Sequence, residues 1–186
     1  MTARRWSAGL ALALAGPSLA AGTITEQRIW SEGDRYLIHV EIVLDAPADR
    51  VRARLTDYDH LHRLSDTIRE SRLLDADPPR YTVRLRSRGC IGIFCRDLEQ
   101  VQAVTERDDG FILVEDLPGR SDFRAARAVW RISAAGTDRS RVSYSAELLP
   151  DFWIPPLLGP PLFRDRLARE TRQLLDNLER LARETP

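Results

Sequence analysis

Two cysteines, three histidines and a scatter of carboxylates are the side chains in this sequence with the most evident chemistry. Cys90 and Cys95 stand in Gly89-Cys90-Ile91-Gly92-Ile93-Phe94-Cys95, with four residues between them. A CxxC redox motif has a shorter gap, and a metal site wants more ligands nearby. In an oxidising compartment such a pair forms a disulfide. The loop it closes is short, so the stabilisation expected is roughly 2 kcal/mol, and the main effect is to fix one hairpin. His60 and His62 lie beside Asp57 and Asp59. Residues two apart on a helix point away from each other, so no metal site is assigned. Glu115 and Tyr144 are the first acid/base candidates, yet no spacing pairs them. The sequence has no GxSxG elbow, HExxH, Walker loop or GxGxxG. All 28 basic residues are Arg, which excludes a lysine nucleophile or Schiff base. The only Met is Met1. No catalytic residue and no cofactor is therefore assigned.

The compartment is read from the first residues. Arg4 and Arg5 precede an apolar run over residues 8–15, Gly16-Pro17 breaks it, and Ser18-Leu19-Ala20 offers small residues to a signal peptidase. The run is too short to span a bilayer, which needs about 20 apolar residues. Residues 1–21 are read as a signal peptide, cut after Ala20 or Ala21, and residues 22–186 as one domain. The expected location is periplasmic or secreted. Formal net charge is 0, and removal of two arginines with the leader makes it slightly negative. A nucleic-acid partner normally demands a basic surplus, so none is expected.

The elements that must position these groups follow from periodicity. Tyr36, Ile38, Val40, Ile42 and Leu44 share one face of a strand. Residues 47–57 form a short amphipathic helix through Val51, Leu55 and Tyr58, and Leu61 and Leu64 suggest a further helical turn. Strands are predicted over residues 68–74, 81–89, 96–105, 111–116, 123–133 and 141–149. Residues 150–161 hold five prolines and are read as irregular, although Phe152, Trp153, Ile154, Leu157 and Leu158 make them strongly apolar. Phe163, Leu167, Thr171, Leu174, Leu178 and Leu181 then recur at helical spacing over about six turns.

This order, with Val43-x-Asp45-x-Pro47-x-x-x-Val51-x-x-x-Leu55-x-Asp57-Tyr58 followed by Leu64, Ile68, Ser71 and Leu74, resembles the START-like superfamily, in particular the bacterial polyketide cyclase/dehydrase and coenzyme-Q-binding group. The resemblance covers residues 36–183. It implies an α+β helix-grip fold: a curved antiparallel sheet of about seven strands wrapped on a long C-terminal helix, with two short helices after the first strand. It also implies an elongated apolar cavity between sheet and helix, and a hydrophobic small molecule as partner.

The expected cavity wall is Phe111, Leu113, Ala126, Ala128, Trp130, Tyr144, Phe163 and Leu167. For Trp130 with its two alanines, ordinary core packing is the competing reading. If the strands run antiparallel and the first pairs with the last, three connections gather at one end. The resemblance implies that this end is the cavity mouth, lined by Ile91, Ile93, Phe94, Leu117, Pro118, Phe152, Trp153 and Leu157 and framed by the Cys90–Cys95 disulfide. The Phe152–Leu158 stretch reads either as a loop folded over the core or as a lid touching a membrane transiently. Three functions remain open: a carrier of a lipid, quinone or isoprenoid; a cyclase/dehydratase using the same cavity; and an accessory module docking a membrane protein through its apolar rim.

Overall fold

The computed structural model describes residues 22–91, 94–152, 154 and 159–184. The chain runs β1 (Thr23–Glu32), β2 (Arg35–Leu44), α1 (Ala48–Leu55), a 3-10 turn (Leu61–Arg63), β3 (Ile68–Asp77), β4 (Arg80–Ile91), β5 (Phe94–Glu106), β6 (Phe111–Asp116), β7 (Phe123–Ala134), β8 (Ser140–Pro150) and α2 (Gly159–Arg183). One antiparallel sheet has the order β1-β2-β8-β7-β6-β5-β4-β3. The helix-grip fold is thus the observed one, with eight strands instead of about seven. The extra strand is β1. A bulge between Ile24 and Glu26 shifts its register, so Ile24 and Ile29 both pack on the core although their spacing is odd. That parity break hides the strand from an alternation count. Gly33, at φ 62°, supplies the left-handed backbone of the two-residue turn into β2.

β2 alternates as read: Tyr36, Ile38, Val40, Ile42 and Leu44 are all buried. It pairs with β8, Ile38 opposite Ala146 and Val40 opposite Tyr144, so the first strand read from the sequence does join the last. α1 buries Val51 and Leu55 and carries Asp49 in its first turn, where the helix dipole favours an anion. The second helical turn is a single 3-10 turn, and α1 with it follows the second strand rather than the first. Glu106 at the end of β5 clamps this region. It pairs with Arg52 of α1 at 3.1 Å and accepts the Tyr58 hydroxyl at 2.8 Å. Burial, reinforced by Glu106, pushes the Tyr58 phenol well above its ordinary pKa. Gly110 sits so close to β7 that an added Cβ would lie 2.4 Å from the Ile132 carbonyl oxygen, which requires glycine in the β5–β6 turn.

α2 has 25 residues, about 37 Å of helix. It starts inside the proline-rich stretch. Pro160 and Pro161 occupy the first turn, where no intrahelical donor is lost, so the irregular segment is shorter than its proline content predicts. The helix buries Phe163, Thr171, Leu175, Leu178, Leu181 and Ala182. Glu179 is buried too, at 4% exposure, on a face that periodicity assigns to solvent. Its carboxylate accepts the main-chain N–H of Gly22 and, at 3.3 Å, that of Asp45, and Arg183 lies 3.6 Å away. It joins the last helix to the start of β1 and the end of β2, satisfying donors that have no strand partner.

Glu179→Ala would take the acceptor from two main-chain donors, the Gly22 and Asp45 N–H groups. That change should lower the unfolding free energy by roughly 2–3 kcal/mol in urea titrations, with Glu179→Gln, which keeps an acceptor, costing clearly less.

Candidate functional site

Between the sheet and α2 lies an elongated cavity of two adjoining chambers, about 280 Å³ and about 170 Å³. The chambers share Ile68, Leu85, Gln102, Val114, Ala128, Tyr144 and Leu174 as wall. The space exists because the strands carry small side chains where they face the middle of α2. Ala126 and Ala128 on β7 and Ala146 on β8 line it, and Ala128 and Ala146 are direct cross-strand partners. At the inner end the wall thickens. Trp130 stacks on Tyr144, ring centroids 4.1 Å apart and planes inclined by 28°. Leu167 and Leu174 cover the cavity from the helix. This is the mostly apolar, concave form that small-molecule sites take.

Five of the eight residues expected in the wall are there: Ala126, Ala128, Trp130, Tyr144 and Leu167. Phe163 lies outside the lining; its ring meets Tyr36 edge-on at 4.5 Å and Phe152 at 6.3 Å. Phe111 and Leu113 are corrections. In β6 the inward residues are Ile112, opposite Trp130, and Val114, opposite Ala128. Phe111 and Leu113 therefore face the outer surface, Phe111 beneath the guanidinium groups of Arg107 and Arg131 at 5.9 and 5.4 Å. Four consecutive apolar residues in β6 offer no alternation, so sequence could not decide their parity. Glu115, an acid/base candidate, shares that outer face and pairs with Arg127 at 3.1 Å.

The polar part of the wall was not anticipated. Gln100 and Gln102 of β5 and Asp116 of β6 line the larger chamber. Both glutamine amides donate to Asp116: Gln100 Nε2 to Oδ1 and Oδ2 at 3.2 and 3.0 Å, Gln102 Nε2 to Oδ1 at 3.1 Å. Burial raises the Asp116 pKa, opposed by hydrogen bonds from Gln100, Gln102 and Ser121. The signal was present: Asp116 shares parity with Ile112 and Val114, and Gln100 and Gln102 share it with Val104. Glu170 of α2, also in the wall, accepts from Ser65 and Thr67 at 3.1 Å each and pairs with Arg166. The Tyr144 hydroxyl has no hydrogen-bond partner among the described residues, and burial pushes its pKa up to about 12. The phenol thus stays protonated as an unused donor.

At one end of the cavity three connections meet. Cys90 and Cys95 are bonded and stand directly opposite in the β4–β5 register. Arg96, next in β5, pairs with Asp122 before β7 at 2.9 Å and lies 5.6 Å over the Phe152 ring after β8. Asp122 also accepts the Glu99 N–H at 2.8 Å, and its carbonyl accepts that of Asp151 at 3.2 Å. Phe152 packs edge-on against Phe123 at 5.6 Å. Leu117 is half-buried and Pro118 exposed in the β6–β7 turn. Of the other expected mouth residues, Ile93, Trp153 and Leu157 lie outside the described residues, as do the side chains of Ile91 and Phe94. His60 Nδ1 donates to Asp57 Oδ1 at 2.7 Å, while Asp59 caps the Leu73 N–H at 2.9 Å. Among the described residues no three metal-ligating side chains converge.

Residues 37–183 match the family described as polyketide cyclase/dehydrase and lipid transport. A search of curated proteins gives no match. Among solved structures, the Zhui aromatase/cyclase from Streptomyces sp. R1128 superposes with a TM-score of 0.67 at 13% identity, covering 80% of this chain and 93% of that one. A START superfamily protein from Mycobacterium smegmatis gives 0.62 at 15% identity over 78% and 98%. A STAR-related lipid transfer protein fragment from Xanthomonas axonopodis gives 0.60 at 19% identity over 86% and 99%. At these identities the likeness is one of fold.

Filling the void tests the wall directly. Ala128→Leu should fold with undiminished stability yet lose affinity for an environment-sensitive hydrophobic dye by about tenfold or more, read by fluorescence titration. Asp116 gives a pH signature. Its folded pKa lies above the unfolded value, so its contribution is most favourable below the unfolded pKa and is lost as pH rises through the folded one. Asp116→Asn should therefore match the parent near pH 3 and gain on it as pH rises to neutrality, measured by denaturant titration at each pH.

Proposed function

The chain belongs to the polyketide cyclase/dehydrase and lipid transport family, and on that premise we propose that it is a carrier of a hydrophobic small molecule, acting in the periplasm or after secretion. The lipid, quinone or isoprenoid class of ligand fits the geometry: a narrow elongated cavity with predominantly apolar walls. The single observation that carries the reading is the row of alanines at 126, 128 and 146, which holds open the space between sheet and helix. Binding is driven by removing ligand apolar surface from water, at about 25 cal/mol per Å² before ordering costs. The Tyr144 hydroxyl adds a donor to a mostly apolar wall whose other polar groups include Gln100, Gln102 and Asp116. The Arg96–Asp122–Phe152 cluster ties together the connections that frame entry, and the adjoining apolar link is suited to touch a membrane while cargo transfers. The disulfide and the leader support an extracytoplasmic location.

One observation favours a second reading. Asp116 is a cavity carboxyl whose pKa burial has raised, as a general acid requires, so a cyclase or dehydratase step in the same cavity is the alternative.

Organic extracts of protein purified from its exporting host, analysed by mass spectrometry, should contain a stoichiometric hydrophobic compound. An Ala128→Leu preparation should lack it. Recovery of a chemically altered product after incubation with the extracted ligand would favour the enzyme, and protein that neither carries nor takes up any hydrophobe would end the carrier reading. Export is checked by the intact mass, which should correspond to a chain shortened near Ala21.

A further inference from the structure

The charged groups of the cavity wall are unequal. Glu170 is spent, one oxygen on Arg166 and the other on Ser65 and Thr67. Arg127 belongs to the wall, but its guanidinium pairs with Glu115 on the outer face. Asp116 differs from both. Its donors are neutral amides and a hydroxyl, and it forms no ion pair with any described residue. It keeps part of its surface open to the larger chamber. A carboxylate in an apolar wall, solvated only by neutral dipoles, attracts an incoming cation strongly and repels an anion, because low-polarity surroundings screen neither. The Tyr144 phenol further along the wall adds a neutral donor rather than a positive charge.

We propose that Asp116 makes this cavity selective for the charge of its ligand's polar end: it admits amphiphiles ending in an ammonium or a hydroxyl and excludes those ending in a carboxylate or other anion. The proposal rests on the carrier reading and narrows it. Free fatty acids and anionic lipid fragments fall outside the ligand class; alcohols and amines on a comparable apolar body fall inside. A headgroup donor reaches Asp116 where β5 and β6 meet, while the apolar body extends past Ala128 toward the Trp130–Tyr144 stack. Rejection of the anion is as much a part of the selectivity as attraction of the donor.

The test is a matched series, decylamine, decanol and decanoate, displacing a hydrophobic dye from the mature protein at neutral pH. Decylamine should bind most tightly, decanol next and decanoate at least about tenfold more weakly than decylamine. In Asp116→Asn, whose fold is checked by its thermal transition, amine and carboxylate should differ by no more than about threefold. Decanoate binding the parent as tightly as decylamine overturns the proposal while leaving the carrier reading in place. So does an amine preference that survives Asp116→Asn. Failure of all three compounds and of the extracted lipids to bind overturns the carrier reading and the proposal with it.

Discussion

The structure depends on holding a long helix against a sheet at its two ends and not in its middle. Toward the C-terminus, Leu175, Leu178, Leu181 and Ala182 are essentially dry against the core that contains Val51, Leu55 and the inner face of β2. Toward the N-terminus, Phe163 is gripped edge-on by Tyr36 and Phe152. A straight helix of this length is stiff enough to bridge between such anchors. Where it bridges, the sheet answers with alanine, and close packing lapses. Interiors rarely tolerate this, because a void forfeits the contacts of every atom on its rim. A ligand restores those contacts, so the same defect that weakens the empty protein supplies affinity.

Polar groups are distributed to match. Where the helix is pinned, two carboxylates are neutralised: Glu179 is taken up by two main-chain donors and Glu106 by Arg52 and Tyr58. Where it spans the void, the Tyr144 hydroxyl has no partner among the described residues and Asp116 has only neutral ones. Unsatisfied or half-compensated groups cost stability, and they persist here on the wall of a space that a second molecule could occupy. Two structural carboxylates and one cavity carboxylate thus differ in role through environment alone.

How far this was legible in the sequence varied with the strength of the period. β2 and β8 alternate without interruption, so their inner faces could be read directly, whereas their pairing entered as an assumption that the observed register matches. β1 could not, because its bulge moves Ile24 and Ile29 onto one face against the count. β6 could not be oriented, because Phe111, Ile112, Leu113 and Val114 are apolar on both faces and only pairing with Trp130 and Ala128 chooses between them. That one choice misplaced two wall residues and, with the same parity, concealed Asp116. Glu179 was invisible for another reason. Charged residues are almost never fully buried, and what reverses the rule is a pair of main-chain donors brought from 134 and 157 residues away. Small residues were the better guide: Ala126 and Ala128 beside Trp130 pointed to the cavity because nothing in strand propensity calls for alanine there.

The disulfide follows from the sheet's outline. β3 pairs with β4 only as far as Ser87, and β6 pairs with β5 only from Gln102 onward. Beyond those limits the β4–β5 hairpin runs on as a two-stranded ribbon, with Gly89 opposite Arg96 and Cys90 opposite Cys95. A two-stranded ribbon has no third strand to complete its hydrogen bonds and no second face to bury, so on its own it is marginal. Two contacts compensate. The Arg88 N–H reaches the Thr67 carbonyl at 2.8 Å, and Asp122 holds Arg96 and the Glu99 N–H. The covalent bond secures what remains, where β3 and β6 no longer pair with the hairpin. In the proposed carrier, the cross-link fixes the edge of the opening without occupying it.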